Sequence, residues 1–133
     1  MVWSEEKAMP QAFDWTDYLT FAQNLDPLQG EATIRAAISR AYYAAYGRAC
    51  KRLKQKQVEI PKRDTHKFVW DQFVNISNAD GDNIRDNGFT LKQRRVRADY
   101  HDEPRLKQTD MEIALRDATT LIHDIDDLLR RGI

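Results

Sequence analysis

A single cysteine, Cys50, five glycines and four prolines are all that the 133 residues hold of the types that staple or break a chain. One cysteine excludes an internal disulfide and any zinc site built on cysteine pairs, and it suits a reducing compartment. No apolar run approaches the roughly 20 residues of a membrane span. The stretch from Met1 to Pro10, with Glu5, Glu6 and Lys7, lacks the apolar core of a signal peptide. The chain is therefore expected to be soluble and cytoplasmic, with no membrane partner. Net charge is also lacking, since 21 Lys and Arg stand against 21 Asp and Glu. That excludes a globally basic nucleic-acid binder and confines any such role to local charge. What is present suffices for folding: 41% of residues are apolar and 32% charged, with too many large apolar side chains for disorder. The length fits one domain, residues 1–133, that buries roughly two-thirds of its unfolded surface in a single core.

The few Gly and Pro residues separate stretches of helical periodicity, and no segment alternates apolar and polar residues over strand length. The expected class is all-α, an up-and-down bundle of four to five helices over about residues 14–130, preceded by an N-terminal arm, residues 1–13. A first helix is predicted to start near Asp14, a capping residue, and to carry Trp15, Tyr18, Leu19, Ala22 and Leu25 before Pro27 and Gly30 end it. The second, from about Glu31 to Gln55, has one stripe of Ile34, Ile38, Ala41, Ala45, Ala49 and Leu53 and another of Tyr43, Tyr46 and Cys50. A helix apolar on two faces belongs at the centre of a bundle. The third should begin near Asp64 or Thr65 and use Val69, Trp70, Phe73 and Ile76. Asn78 to Gly88, rich in Asn, Asp and Gly, reads as a loop. Its Asn78, Asp80 and Asp82 alternate like calcium ligands, but residue 83 is Asn where the loop needs Gly and residue 89 is Phe where it needs Glu. A fourth helix is expected from Thr90 to about His101. The fifth runs from about Thr109 to Arg130, with Met111, Ala114, Ala118, Leu121, Ile122, Ile125, Leu128 and Leu129 near the heptad period.

The three histidines, His66, His101 and His123, form no metal-ligand spacing with one another or with cysteine. His123 sits among Asp124, Asp126 and Asp127 as a partly exposed residue with carboxylate neighbours, and His66 reads as a cap or packing residue of the third helix. No Gly-x-Ser-x-Gly elbow supports serine chemistry. Cys50 has no thiolate-stabilising setting beyond Arg48 and Lys51 and reads as a small buried apolar residue.

One segment differs. Four of the seven residues from Leu91 to Arg97 are basic (Lys92, Arg94, Arg95 and Arg97), with no acid among them. At 100° per residue Arg94, Arg97 and His101 fall within about 60° on one helix face. Paired guanidiniums hold a phosphate by parallel hydrogen bonds, and a histidine can exchange a proton beside it. The plainer reading is a solvated basic face partnered by Asp99 and Asp102. The zero net charge is thus a cancellation between segments. Residues 47–67 and 91–97 are basic, whereas the last helix sets Asp110, Glu112, Asp117, Asp124, Asp126 and Asp127 against Arg116, Arg130 and Arg131.

Ala37-Ile38-Ser39-Arg40-Ala41-Tyr42-Tyr43-Ala44-Ala45-Tyr46 resembles the signature of HEPN domains (higher eukaryotes and prokaryotes nucleotide-binding), whose long second helix reads Ser-Arg-x-Tyr-Tyr-Ala. Arg97-Ala98-Asp99-Tyr100 resembles the Arg-x-Ala-Asp-Tyr of small prokaryotic members, the kind paired with minimal nucleotidyltransferases. The two matches occur in the family's order and at about its separation. The resemblance implies a helical bundle that forms a homodimer. In the catalytic branches, an Arg separated from a His by four to six intervening residues makes a metal-independent ribonuclease site, completed by the second protomer, with no cofactor. Arg94 and Arg95 both satisfy that count with His101. Periodicity favours Arg94, because Arg95 projects about 120° away from His101 in a regular helix. Lys92 and Arg97 would bind RNA phosphate, His101 would act as general acid or base, and Ser39, Arg40, Tyr42, Tyr43, Asp99 and Tyr100 would be structural members of the motif. Catalytic toxins of the family often read His-x-Tyr, whereas residue 103 here is Glu.

Three functions compete at this level. One is an endoribonuclease of toxin or defence type. Another is a non-catalytic dimeric module that binds nucleotide, RNA or a partner nucleotidyltransferase acting as antitoxin. The third is a structural interaction domain whose basic helix binds nothing, so that neither RNA nor nucleotide would shift its melting temperature.

Overall fold

The computed structural model describes residues 12–76 and 78–133, so the expected N-terminal arm, residues 1–13, lies outside it except for its last two positions. Five α-helices and a short 3-10 turn make up an all-helical bundle, and no strand occurs among the described residues.

Helix α1 (Thr16–Gln23) is opened by Asp14, whose Oδ1 accepts the Thr16 N–H at 3.0 Å and the Thr16 hydroxyl at 2.6 Å. This satisfies one of the amides that a helix start leaves free. Asp26 does the same for the 3-10 turn Pro27–Gln29, accepting the Leu28 N–H at 2.9 Å. Gly30 follows at φ 128°, a conformation that glycine alone adopts freely.

Helix α2 (Glu31–Gln55) is central and packs against each of the other four. All six residues of its expected stripe, Ile34 to Leu53, are buried, and Tyr43, Tyr46 and Cys50 are half-buried. Its small residues set the spacing: a Cβ at Gly47 would fall 2.2 Å from the Trp15 ring, so α1 can pack this closely only because the position is glycine.

Helices α3 (Thr65–Ile76) and α4 (Asn78–Tyr100) lie against each other. The loop expected from Asn78 to Gly88 is therefore helix, and the physical reason lies in its glycines. A Cβ at Gly81 would stand 1.9 Å from the Phe73 carbonyl oxygen, and one at Gly88 would stand 2.2 Å from the Trp70 ring. These glycines are contact surfaces. Along α4, among residues 79–100, the buried positions are Gly81, Ile84, Gly88, Leu91, Arg95 and Ala98, a regular 3-4-3-4-3 spacing. Two of the six carry no side chain and one carries a charge, so hydropathy does not reveal the stripe.

Helix α5 (Gln108–Arg130) begins where the Asp110 carboxylate accepts the Lys107 N–H at 2.7 Å. Met111, Ala114, Ala118, Leu121, Ile122, Ile125 and Leu128 are buried, whereas Leu129, expected in the same stripe, is 44% exposed. Arg48 pairs with Asp126, and the buried Arg52 donates to the Ile133 carbonyl, which ties α5 and the residues after it to α2. No helix among the described residues is long and apolar enough to cross a membrane.

Candidate functional site

Because α4 packs against α2, α3 and α5, the basic residues of its second half point in different directions. Arg94 turns toward α5, its Nε 3.9 Å from Asp117 Oδ2. Arg95 occupies a core position and is 7% exposed. Its guanidinium donates to Asp99 Oδ2 at 3.4 Å and lies 5.5, 5.4 and 5.8 Å from the ring centroids of Tyr42, Tyr43 and Tyr100. A buried cation in such a tyrosine cage is stabilised by the ring quadrupoles and by its one carboxylate. The Nε atoms of Arg94 and Arg95 are both buried and have no hydrogen-bond partner among the described residues.

Arg97 and His101 project outward. Together with Phe89, Lys92, Gln93 and Val96 they line an open hollow of about 440 Å³. Among the described residues the Arg97 guanidinium has no hydrogen-bond or ion-pair partner. The residue that shares the hollow with His101 is thus Arg97. Arg94, which periodicity sets on the face of His101, lines with Arg97 a much smaller crevice beside Ile38, Leu106 and Asp110. A phosphate entering the hollow would meet an ammonium, a guanidinium and an imidazole interspersed with the apolar surfaces of Phe89 and Val96. All six lining residues come from α4 and the position directly after it, so the hollow has a single wall.

The two motif segments meet behind this wall. Ser39 Oγ donates to Asp99 Oδ2 at 3.2 Å, and Asp99 in turn accepts from Arg95, which lies over Tyr42 and Tyr43. Arg40 goes elsewhere, its guanidinium 4.9 Å from the Tyr18 ring centroid. Tyr100 is 72% exposed. Ser39, Tyr42, Tyr43 and Asp99 therefore do the packing and hydrogen bonding that joins α2 to α4.

Of the two roles expected for His66, cap or packing residue, the structure shows packing. The Nδ1 of His66 lies 2.6 Å from the Tyr42 hydroxyl, which also accepts the buried Trp70 Nε1–H at 3.1 Å, and its ring stacks on Tyr46 at 4.1 Å. An indole N–H can only donate. The arrangement that satisfies all three groups has Tyr42 donating to a neutral imidazole. Partial burial, then repulsion from Lys92 and Arg95, brings the His66 pKa down to about 4, and burial raises that of Tyr42. Burial likewise raises the thiol pKa of the half-buried Cys50.

The sequence reading also passed over Glu31 and Arg35. From the start of α2 Arg35 reaches the end of α4 and Glu31 reaches Arg105 and Leu106, contacts across more than 60 residues that no local pattern signals. Neither a family model, nor a curated protein, nor a solved structure matches this chain.

Proposed function

We propose that the chain is a metal-independent endoribonuclease of toxin or defence type, working as a homodimer in the cytoplasm, with a partner nucleotidyltransferase as its antitoxin. The observation that carries this reading is the grouping of Lys92, Arg97 and His101 in one open hollow, with the Arg97 guanidinium unpaired among the described residues. The two motif resemblances and their junction through Ser39, Asp99 and Arg95 lend it support.

In this mechanism His101 takes the proton from a ribose 2′-OH, the freed oxygen attacks the adjacent phosphorus, and the bond from phosphorus to the 5′ oxygen breaks. The products are a 2′,3′-cyclic phosphate and a 5′ hydroxyl. Arg97 and Lys92 stabilise the charge that gathers on the phosphoryl oxygens. The departing 5′ oxygen needs a proton from a second acid. A homodimer would bring a second imidazole to a hollow that has only one wall in the protomer. Arg94 and Arg95, held by Asp117 and by Asp99 with the tyrosines, would shape the helix that presents these groups.

A single-stranded RNA labelled at one end, incubated with purified protein and a chelator, should be cut to products bearing a cyclic phosphate. His101→Ala should abolish cutting without unfolding, since the side chain is exposed. Intact RNA at high protein concentration, or equal cutting by the variant, would end the enzymatic reading.

The engagement of both Arg94 and Arg95 favours a second reading, a non-catalytic dimeric module that binds RNA or nucleotide in the same hollow. It predicts salt-sensitive binding without cleavage.

A further inference from the structure

The last carbonyls of a helix have no partners within it. At the end of α4 they find one in Arg35, whose Nη1 donates to the carbonyl oxygens of Arg97 at 3.2 Å, Ala98 at 3.0 Å and His101 at 2.7 Å. Arg97 and His101 both line the hollow, and the shortest of the three bonds goes to His101. The N–H of His101 still donates to the Arg97 carbonyl at 3.1 Å, so both polar groups of its backbone are held.

Arg35 is itself braced. Its Nε donates to Glu31 Oε2 at 2.9 Å, one turn earlier on α2. The same carboxylate accepts the Arg105 Nε–H at 2.8 Å and the Leu106 N–H at 3.0 Å. One Glu–Arg pair thus ties down both ends of the connection between α4 and α5. Residues 101–105 of that connection are exposed, so packing does not hold them. With three donors on it, led by Arg105, the Glu31 carboxyl has its pKa lowered to about 2 and stays ionised throughout the neutral range.

We infer that Arg35, braced by Glu31, is a positioning residue that fixes the imidazole of His101 against the hollow. The inference rests on the reading of His101 as the proton-transfer group. Arg35 does not line the hollow, so its removal takes no charge from the phosphate site and acts through the backbone it holds, at His101 by the shortest bond and at Arg97 by the longest.

The test compares the wild type with Arg35→Gln, Arg35→Lys, Glu31→Gln and His101→Ala, each held well below its melting temperature. Two experiments are read: the kinetics, kcat and KM, on a single-stranded RNA, and the NMR resonances of the His101 imidazole in the absence of RNA. Arg35→Gln should lower kcat by about 100-fold, the scale of an ångström of misplacement, while KM changes by less than about threefold. Its His101 resonances should move to the positions of a flexible peptide. Arg35→Lys should recover part of both, because an ammonium still donates to helix-end carbonyls, and Glu31→Gln should fall between. A lost structural contact alone would lower the melting temperature and leave kcat of the folded enzyme unchanged. A folded Arg35→Gln protein with wild-type kcat, or with wild-type His101 resonances, overturns the inference. Where Arg35→Gln does not fold, the other two variants carry the same comparison. A wild type that leaves RNA intact ends the ribonuclease reading instead, and the NMR comparison still decides whether Arg35 places His101.

Discussion

Substituting alanine for Gly81 sets two effects of opposite sign against each other. Within a helix, alanine is favoured over glycine by about 1 kcal/mol, through propensity and a stiffer unfolded chain. Against that, the new Cβ would lie 1.9 Å from the Phe73 carbonyl oxygen and 2.6 Å from its carbon, both of them backbone atoms of α3. No rotamer relieves such a clash, so α3 and α4 must separate by about 1 Å, and overpacking of this kind costs about 1–3 kcal/mol or somewhat more. Above Phe73 and Trp70, both fully buried, that separation loosens the core as well. The clash should win, leaving Gly81→Ala less stable than wild type by about 1 kcal/mol, the middle of the overpacking range less the propensity gain, or roughly 3–5 °C in Tm for a chain of this size. Gly88→Ala should behave alike, because its Cβ would meet the immobile Trp70 ring at 2.2 Å. Asn87→Ala, at an exposed site of the same helix, is the control and should be neutral or slightly stabilising. Urea titrations followed by circular dichroism, with the m-value checked for constancy, give all three differences. If Gly81→Ala and Gly88→Ala match or exceed wild type, the helices do not approach through these glycines, and the segment is better described as the loop its composition suggests.

Three further outcomes follow from the same structure. Tyr42→Phe removes the acceptor of the buried Trp70 N–H and the donor to His66, and should cost about 1–3 kcal/mol in urea denaturation; an unchanged midpoint would show that the hydroxyl has no such role. His66, its pKa lowered from 6.5 to about 4, binds fewer protons folded than unfolded between those values, so stability is full above pH 6.5 and falls as pH drops toward 4. The slope is no steeper than about 1.4 kcal/mol per pH unit and is lessened by solvent at the ring; His66→Gln should flatten the change in Tm across that window, and an identical pH dependence would refute the assignment. On a His101→Ala background, Lys92→Gln and Arg97→Gln should each reduce the slope of log affinity against log salt for single-stranded RNA by about 0.7; slopes equal to the parent's would place the phosphate contacts elsewhere.

The residues that resemble a known signature occupy two helices, and the sequence has no means of showing that they touch. Ser39 reaches Asp99 across 60 residues, and Arg35 reaches His101 across 66. Helical periodicity assigned Arg94 to the face of His101 because it treats a helix as an isolated cylinder. Once α4 is packed, the acidic α5 draws Arg94 toward Asp117, the tyrosines of α2 enclose Arg95, and Arg97 is the arginine left beside His101.

Legible in the residues alone are the helical class, the central place of α2 and six of its eleven buried positions, the core faces of α3 and α5, and the concentration of positive charge near residue 95. Each is written in a local repeat that shows which side chains must leave water, whatever they pack against. That Gly81 and Gly88 belong to a helix emerges in the packed bundle, because their role is the space they leave for α3. The packing also sets where each arginine points and what holds His101, because these depend on groups distant in sequence whose approach follows from how the helices meet.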